Sequence, residues 1–328
     1  MRSIRIGART ERYILARQRK RKGDPISGWL NLFKPLDMTS TQAVGALKRI
    51  YNAQKVGHGG TLDPLADGIL PIAFGEATKT VPWMMDAQKD YEFTILWGES
   101  RDSQDAEGAV IATSDVRPSR EAVEAVLSKY VGTIEQVPPK FSAIKVDGKR
   151  AYDLAREGED FVLEPREVDV FAARVVDMPD ADHTIIHVTS GKGFYVRALA
   201  RDLAFDLGCE GYINQLRRTR VGVFGAAEAV SIAEIEALED KAALLAALQP
   251  LQIVLEETVP QLEIGSDDVR ELKQGRTIVL LPHLLEQWRA ETSEDDEDRL
   301  AVVVKDGRAI AMGDVRAGRF EPRRVFQS

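Results

Sequence analysis

The chain has 328 residues, which is enough for two domains of ordinary size, and its 44% hydrophobic and 29% charged residues are close to the average of soluble globular proteins. This composition excludes a fibrous or wholly disordered protein, and no stretch approaches the ~18 consecutive apolar residues that a membrane helix needs. The formal net charge of −8 argues against a uniformly basic nucleic-acid-binding protein but leaves a basic face open, because acids are concentrated in residues 294–298 whereas arginines cluster at positions 217, 218 and 220.

The first 24 residues form a basic segment. Residues 1–22 carry nine arginines and lysines against one acid, Glu11, and no apolar core or cleavage site of a secretory signal follows. We predict an arm over residues 1–24, which either contacts phosphates or is only a solvated chain terminus. Because the single cysteine, Cys209, cannot form an intramolecular disulfide and suits a reducing compartment, we expect the protein to be cytoplasmic.

A strand, a helix and a glycine-rich loop are predicted next. Residues 29–33 are apolar except for Asn31 and end just before Lys34-Pro35, which is typical of a short strand. Thr39 or Ser40 can cap a helix, since the apolar residues at positions 44, 47 and 50 have helical spacing. Residues 57–68 contain four glycines and a proline, which favours a loop with special backbone angles, and loops of this kind often carry function.

The middle of the chain predicts an irregular succession of strands and helices. Aromatic and aliphatic residues at positions 91, 93, 95 and 97 alternate with polar or smaller ones, as in a half-buried strand. Further strands are predicted at residues 140–144, 167–176 and 183–190, and helices at residues 117–130 and 195–207, the latter closed by Gly208. Since strands and helices do not alternate regularly, we predict an α+β fold with a mixed, mainly antiparallel sheet.

The last part of the chain predicts a second domain. Residues 231–248 are rich in Ala, Leu and Glu and predict a helical connector that ends at Pro250. We place the main domain at residues 25–255 and a small β-rich domain at residues 256–328, in which short β-like pieces are separated by glycine turns. An acidic insertion near residues 288–299 is expected to be an exposed loop.

Asp63 is the residue of the glycine-rich loop with the clearest chemical context. An Asp before a Pro usually only starts a turn, but here His58 precedes it by five residues and Gly-Glu-Ala-Thr-Lys follows at residues 75–79. With the motifs farther along, this pattern resembles the TruB/dyskerin family of tRNA pseudouridine synthases. The matching segments are residues 28–35, 38–40, 57–71, 89–91, 138–145, 190–197 and 216–218. The resemblance extends over roughly residues 28–328, and its last part is similar to a PUA RNA-binding domain.

The resemblance implies roles for individual residues. Asp63 would be the catalytic carboxylate, and Arg197 would pair with it, which favours its ionised form and orients it. Tyr91 would stack on the target base, and His58 would help to keep that base out of the RNA stack. The alternatives are structural roles, with Arg197 on a helix surface, Tyr91 in the core and His58 as a loop residue.

Pocket and phosphate contacts complete the implied site. Tyr195 and Leu216 match pocket residues around the extruded base. Four basic residues are candidate phosphate contacts by charge, namely Lys79, Lys145, Arg217 and Arg218. The chain departs from the family pattern at Gly59, where Thr or Ala is common, and at Asp67, where a small polar residue is common. We expect the Asp67 side chain to point to solvent.

The implied function is isomerisation of uridine 55 in the T loop of tRNA to pseudouridine. The reaction moves the ribose from N1 to C5 of uracil with no net gain or loss, so we expect no cofactor and no metal. His183 and His187 are interpreted as structural or exposed. The expected partner is the tRNA T stem-loop, with no membrane and no obligatory protein partner, and the expected state is a monomer. A non-catalytic tRNA-binding or folding protein stays the alternative, and a hydrolase is less favoured because a second cooperating acid is not evident.

Overall fold

The computed structural model describes residues 23–146, 148–292 and 299–327. Most of the predicted basic arm therefore lies outside the described residues, as does the acidic run at residues 294–298. Within the described ranges, no helix is long and apolar enough to cross a membrane.

The larger domain contains strands and helices in irregular order. Its strands are β1 (Gly28–Lys34), β2 (Val56–His58), β3 (Ala66–Phe74), β4 (Lys89–Trp97), β5 (Glu99–Arg101), β6 (Val110–Thr113), β7 (Gly132–Gln136), β8 (Lys145–Val146), β9 (Lys149–Arg150), β10 (Arg166–Asp177), β11 (His183–Ser190), β12 (Gly211–Val221) and β13 (Phe224–Gly225). Its helices are α1 (Ser40–Ile50), α2 (Val81–Asp86), α3 (Arg120–Leu127), α4 (Ala151–Arg156), α5 (Val196–Asp206), α6 (Ile232–Glu236) and α7 (Lys241–Ala246). Single 3-10 turns occur at Gly75–Lys79, Ser128–Tyr130 and Leu251–Leu255.

A mixed sheet organises this domain. In the described part of the chain it has nine strands, in the order β1-β3-β12-β4-β11-β10-β7, with β2 paired to β3 and β13 paired to β12. Neighbours pair antiparallel except β3 and β12, which run parallel. The predicted α+β class with a mixed, mainly antiparallel sheet is confirmed.

Helix α5 covers one face of the sheet. The alternating residues Phe93, Ile95 and Trp97 of β4 are buried in one cluster with Leu199 and Leu203 of α5. Burying a large apolar side chain contributes ~1.5–3 kcal/mol, so this contact fixes the helix on the sheet. The first residues of α5 consequently lie at a defined place relative to the strand ends.

Helix ends follow the sequence signals. Thr39 caps α1 through a capping box with Gln42, which confirms the predicted start of that helix. Gly208 follows the end of α5 with φ +64, the left-handed conformation that a glycine accepts at little steric cost.

Three sequence-based predictions are wrong in part. The loop at residues 57–68 is shorter than expected, because its first two residues end β2 and its last three begin β3. Gly68 belongs to β3, where it pairs with Lys34 of β1 and Arg218 of β12, and a Cβ there would approach Arg218 O to 2.2 Å. Residues 140–144 bend instead of forming a strand, since Tyr152 N and Ala151 N bond to their carbonyls and fold the segment onto α4. The connector at residues 231–248 is two short helices, because Asp240 caps a second one.

A second, five-stranded sheet follows in the described C-terminal residues. Its elements are β14 (Gln261–Glu263), α8 (Ser266–Lys273), β15 (Ile278–Val279), α9 (Pro282–Glu291), β16 (Leu300–Lys305), β17 (Arg308–Arg316) and β18 (Arg319–Val325). The predicted β-rich character is confirmed, but residues 288–291 of the expected acidic loop belong to α9. Trp29 and Phe224 of the larger domain share a buried cluster with Val302 and Phe326. The two sheets are therefore joined by a common apolar core.

Candidate active site

The backbone around Asp63 is held from outside its own loop. Ser40, at the start of α1, exchanges two hydrogen bonds with Leu62: its Oγ donates to the carbonyl oxygen at 3.0 Å and accepts from the amide at 2.9 Å. On the other side of Asp63, the Asp37 amide donates to Pro64 O at 2.9 Å. Both neighbours of Asp63 are thus fixed, which limits the positions that its carboxylate can take.

Arg218 of β12 binds the first half of the loop that carries Asp63. Its side chain is buried, with 2% of the residue exposed. Nε donates to Ile69 O at 2.8 Å, Nη1 to Thr61 O at 3.1 Å and Nη2 to Gly60 O at 3.1 Å. Because the guanidinium is buried and committed to three carbonyls, the prediction that Arg218 contacts RNA phosphate is wrong.

Arg197 makes the predicted contact with Asp63. Its Nη2 lies 3.0 Å from Asp63 Oδ2, with the arginine side chain 7% exposed and the aspartate side chain 41% exposed. The arginine is also fixed by two carbonyl oxygens, Ser103 O at 3.1 Å and Phe141 O at 2.9 Å. A buried, fully engaged cation therefore orients one oxygen of Asp63 while the carboxylate keeps an accessible side.

A second carboxylate, which the sequence did not indicate, lies on the far side of Arg197. Asp105 Oδ2 is 3.3 Å from Arg197 Nη1. Its Oδ1 accepts from Ser103 Oγ at 2.6 Å and from the Glu107 amide at 3.1 Å. Nothing in the local pattern separates Asp105 from other acids of the same turn, and only its tertiary contact with Arg197 reveals it.

A small recess opens beside these groups. It has a volume of about 20 Å³ and is lined by Asp63, Leu65, Ala66, Asp105, Ala106, Arg197, Ile213, Asn214 and Leu216. A wider groove of about 390 Å³ shares Leu65, Ala106, Asn214 and Leu216 with it. The structure thus brings the predicted residues Asp63, Arg197 and Leu216 together at one opening.

The two predicted tyrosines are not among the residues that line the recess. Tyr91 is buried on the α5 side of β4 and pairs in register with Arg218. Tyr195 immediately precedes α5, and its backbone exchanges hydrogen bonds with the Gln136 side chain at 2.8 and 3.1 Å. Burial raises the pKa of the Tyr195 phenol, and the negative charge of Asp63 adds to this effect. The phenol is therefore protonated at neutral pH and lies within the field of Asp63.

His58 ends β2 at the entrance of the loop. Its Nδ1 accepts from the Gly60 amide at 3.3 Å. Burial lowers the pKa of His58, and the positive charge of Arg218 lowers it further. The imidazole is therefore neutral at pH 7, a state suited to stacking on a base. Gly59 beside it has no space for a side chain, since a Cβ would come within 2.4 Å of Met84 Cγ.

The other predicted phosphate contacts lie in different places. Lys79 pairs with Glu76 and lies 5.9 Å from the centre of the Phe326 ring, against the C-terminal sheet. Lys145 is exposed on β8. Arg217 pairs with Asp67, whose side chain is only 14% exposed, so the expectation that Asp67 points to solvent is wrong.

Lys34 is a further charged group that the sequence did not indicate. It is fully buried at the end of β1, and its Nζ donates to Pro35 O and Met38 O, each at 2.7 Å. Burial lowers the pKa of Lys34 to about 8, although the charges of Asp67 and Asp63 act in the opposite direction. The charge of Asp63 therefore acts on the Lys34 ammonium.

Comparison with known proteins defines the class of this site. Residues 48–196 match the family model described as TruB family pseudouridylate synthase (N terminal domain). Residues 197–256 match the one described as tRNA pseudouridylate synthase B C-terminal domain. The Asp63–Arg197 pair thus lies within a pseudouridylate synthase fold.

Relatives of nearly full length narrow this class to a family. The chain is 52% identical over 309 residues to the tRNA pseudouridine synthase B of Caulobacter vibrioides, covering 94% of this chain and 99% of that protein. It is 48% identical over 318 residues to the protein of the same name from Rhizobium johnstonii, covering 95% and 100%. A solved Cbf5-Nop10-Gar1 complex has the same fold, with a TM-score of 0.68 at 22% identity over 92% of this chain and 85% of that chain. The protein belongs to the TruB family of pseudouridine synthases.

Proposed function

We propose that the protein isomerises uridine 55 in the T loop of tRNA to pseudouridine, with Asp63 as its catalytic carboxylate. The observation that carries the proposal is the contact of Asp63 with the buried Arg197 at the edge of an open recess. The names of the relatives, tRNA pseudouridine synthase B, support tRNA as the substrate.

The reaction breaks the bond between uracil N1 and the ribose C1′, turns the base, and forms a bond between C5 and C1′. The C5 proton is lost and N1 gains a proton, so atoms and charge balance without a second substrate. Asp63 can serve two routes, addition to the ribose or removal of a ribose proton, and both require its ionised form. Arg197 contacts Asp63 directly and Asp105 contacts the same guanidinium, so the arginine that orients Asp63 is itself held in position.

Base flipping gives the neighbouring residues their proposed roles. A uridine inside a folded RNA loop must leave its stack before its ribose can reach Asp63. Tyr91 stacks on the extruded base, and the neutral His58 at the entrance of the loop helps to keep it out. Tyr195 and Leu216 pack around it, and the apolar part of the recess formed by Leu216 supports this role.

The C-terminal sheet is the proposed second RNA-binding region. We place this PUA-like domain at residues 256–328 and the catalytic domain at residues 25–255. Exposed arginines on β17 and β18 support this, namely Arg308, Arg316, Arg319, Arg323 and Arg324. Lys79 and Lys145 are proposed phosphate contacts outside this sheet.

We further propose that the enzyme acts in the cytoplasm as a monomer without an obligatory protein partner. Light scattering of the purified chain, alone and with a tRNA transcript, tests the last two points. A mass of one chain and activity without added protein are expected. A stable dimer, or activity that requires a second protein, would contradict them.

The decisive experiment uses an unmodified tRNA transcript and maps pseudouridine by chemical labelling and sequencing. Wild-type protein should modify position 55, and a transcript with cytidine at that position should remain unmodified. Asp63→Asn should bind the transcript with unchanged affinity and give no product. Equal product from Asp63→Asn would defeat the assignment of the catalytic residue, and no product from the wild type would defeat the proposed function in favour of a tRNA-binding protein.

A further inference from the structure

Asp67 lies four residues after Asp63, at the point where the loop that carries Asp63, the proposed catalytic loop at residues 59–65, becomes strand β3. The chain between the two aspartates makes a tight turn, in which the Ala66 amide donates to Asp63 O at 3.1 Å. Pro64 removes further freedom because its ring fixes φ. A displacement of Asp67 would therefore be transmitted to Asp63 through a short and stiff segment.

Arg217 of β12 holds the Asp67 carboxylate with two hydrogen bonds. Nε donates to Oδ1 at 2.8 Å and Nη2 to Oδ2 at 2.6 Å. The Arg217 side chain is 53% exposed and lies 5.5 Å from the centre of the Phe33 ring on β1. This one side chain thus links three neighbouring strands, β1, β3 and β12.

The backbone contact that this pair reinforces is short. Strands β3 and β12 form the one parallel pairing between described strands of the larger sheet, and its register contains only three residue pairs. Asp67 and Arg217 are the middle pair of the three. Parallel pairing is slightly less stable per residue than antiparallel pairing, so a side-chain link has more influence here than elsewhere in the sheet.

The surroundings of Arg217 favour an internal partner over RNA. Its second neighbour across the sheet is Glu92 of β4, an acid that also lines the wider groove together with Asp37 and Asp67. An RNA phosphate approaching Arg217 would meet these carboxylates and would have to displace Asp67 from a bidentate pair.

We propose that Asp67 and Arg217 form a positioning pair for Asp63. Their ion pair fixes the start of β3 on β12 and so sets the distance from Asp63 to Arg197. The next residue, Arg218, holds the first half of the same loop from the opposite face of β12. Consecutive arginines of one strand therefore hold the two ends of the catalytic loop. The inference rests on the proposed function only for its effect on activity.

The test compares Asp67→Asn, Arg217→Lys and Arg217→Gln with a matched control. Asp314→Asn serves as the control for the hydrogen-exchange measurement, because Arg323 holds Asp314 in a similar way: Nε is 2.9 Å from Oδ2, and the two side chains are 50% and 10% exposed. That pair lies in the C-terminal sheet and does not contact the loop.

Four quantities are measured on the full-length protein. Asp67→Asn and Arg217→Lys should each lower the single-turnover rate at saturating tRNA by about tenfold, as expected for a small displacement of a catalytic group. Both variants should leave the Kd for tRNA within about twofold and speed amide hydrogen exchange in residues 62–66 of the free protein. Arg217→Gln should leave the slope of log Kd against log salt concentration unchanged, whereas loss of a phosphate contact would reduce that slope by about one.

The outcomes separate this inference from the proposed function. If the wild type makes pseudouridine and Asp67→Asn matches it in rate and in hydrogen exchange, the positioning role is wrong and the function stands. A reduced salt slope for Arg217→Gln would make Arg217 a phosphate contact and would also overturn the pair. If the wild type makes no pseudouridine, faster exchange in Asp67→Asn but not in Asp314→Asn still supports the link between Asp67 and the loop.

Discussion

Asp105→Asn is the substitution that most directly tests how Asp63 is held. Asp105 and Asp63 lie on opposite sides of the Arg197 guanidinium, at 3.3 and 3.0 Å. In the variant, the asparagine NH₂ group points either toward Arg197 Nη1 or toward Ser103 Oγ and the Glu107 amide, which now donate to Asp105. Either orientation sets donor against donor, so we expect Arg197 to shift and Asp63 to lose its orientation.

The magnitude follows from the burial of Arg197 and Asp105, whose side chains are 7% and 13% exposed. Arg197 and Asp105 form a close ion pair, and little solvent is present to screen it because Arg197 is buried. We compare it with a hydrogen bond to a charged group, which contributes ~1.5–3 kcal/mol net. The 3.3 Å distance is long for such a bond, which favours the lower end of that range. Since ~1.4 kcal/mol corresponds to a factor of ten in rate, kcat should fall by about tenfold.

The assay is the single-turnover release of tritium from tRNA labelled at C5 of uridine, because the C5 proton is lost in the reaction. Asp102→Asn is the matched control: it lies in the same turn, is exposed, and accepts only from the Ala109 amide at 3.0 Å. We expect wild-type rates from the control and wild-type RNA affinity from both variants. An Asp105→Asn rate equal to that of the wild type would refute the idea that the second carboxylate orients Arg197.

Three further predictions concern buried groups. Arg218→Met leaves three carbonyls without their donor, the buried one of Ile69 and the partly buried ones of Thr61 and Gly60, and should lower the free energy of unfolding in urea by ~3–5 kcal/mol. A loss below ~1 kcal/mol would contradict the supporting role of Arg218. Burial lowers the pKa of His58, so its NMR titration midpoint should lie below the ordinary 6.5. Between the folded pKa and 6.5 the unfolded chain binds more protons than the folded one, so the stability of the protein falls as the pH is lowered through this range. His58→Gln should weaken this pH dependence, and an NMR midpoint above 6.5 would contradict the prediction. Burial raises the pKa of the Cys209 thiol to about 11, so iodoacetamide at pH 8 should label the unfolded chain and leave the native one unmodified, whereas rapid native labelling would mean that the thiol is accessible.

Local sequence signals were sufficient where the structure is decided locally. The period-two pattern of β4 and the helix cap predicted at Thr39 or Ser40 act over a few residues, and the structure contains both, with the cap at Thr39. Gly68 shows the limit of such reasoning. Its neighbours in sequence suggest a loop. In the structure, the backbone of Arg218 on a different strand lies so close to Gly68 that no side chain fits there.

Some charged residues of the site could be predicted from sequence motifs, whereas the positions of others depend on tertiary structure. The Asp63–Arg197 contact was accessible from the family resemblance, because both residues lie in recognisable motifs. Asp105 lies in a polar turn with no motif of its own. The buried position of Arg218 was equally hidden, since in sequence it is one of three clustered arginines that look alike. What distinguishes Arg218 from Arg217 is the face of β12 on which each lies, and strand register decides that.

Arg197 explains why the geometry at Asp63 is a property of the whole larger domain. Its guanidinium binds the carbonyl of Ser103 next to the β5–β6 hairpin and the carbonyl of Phe141 in the bend before β8, while its backbone belongs to α5. The loop that carries Asp63 is held by Ser40 from α1 and by Arg218 from β12. Segments distant in sequence must therefore all be in place before one carboxylate is oriented. The proposed chemistry depends on one aspartate, and the contacts that fix its position distinguish Asp63 from an ordinary turn residue.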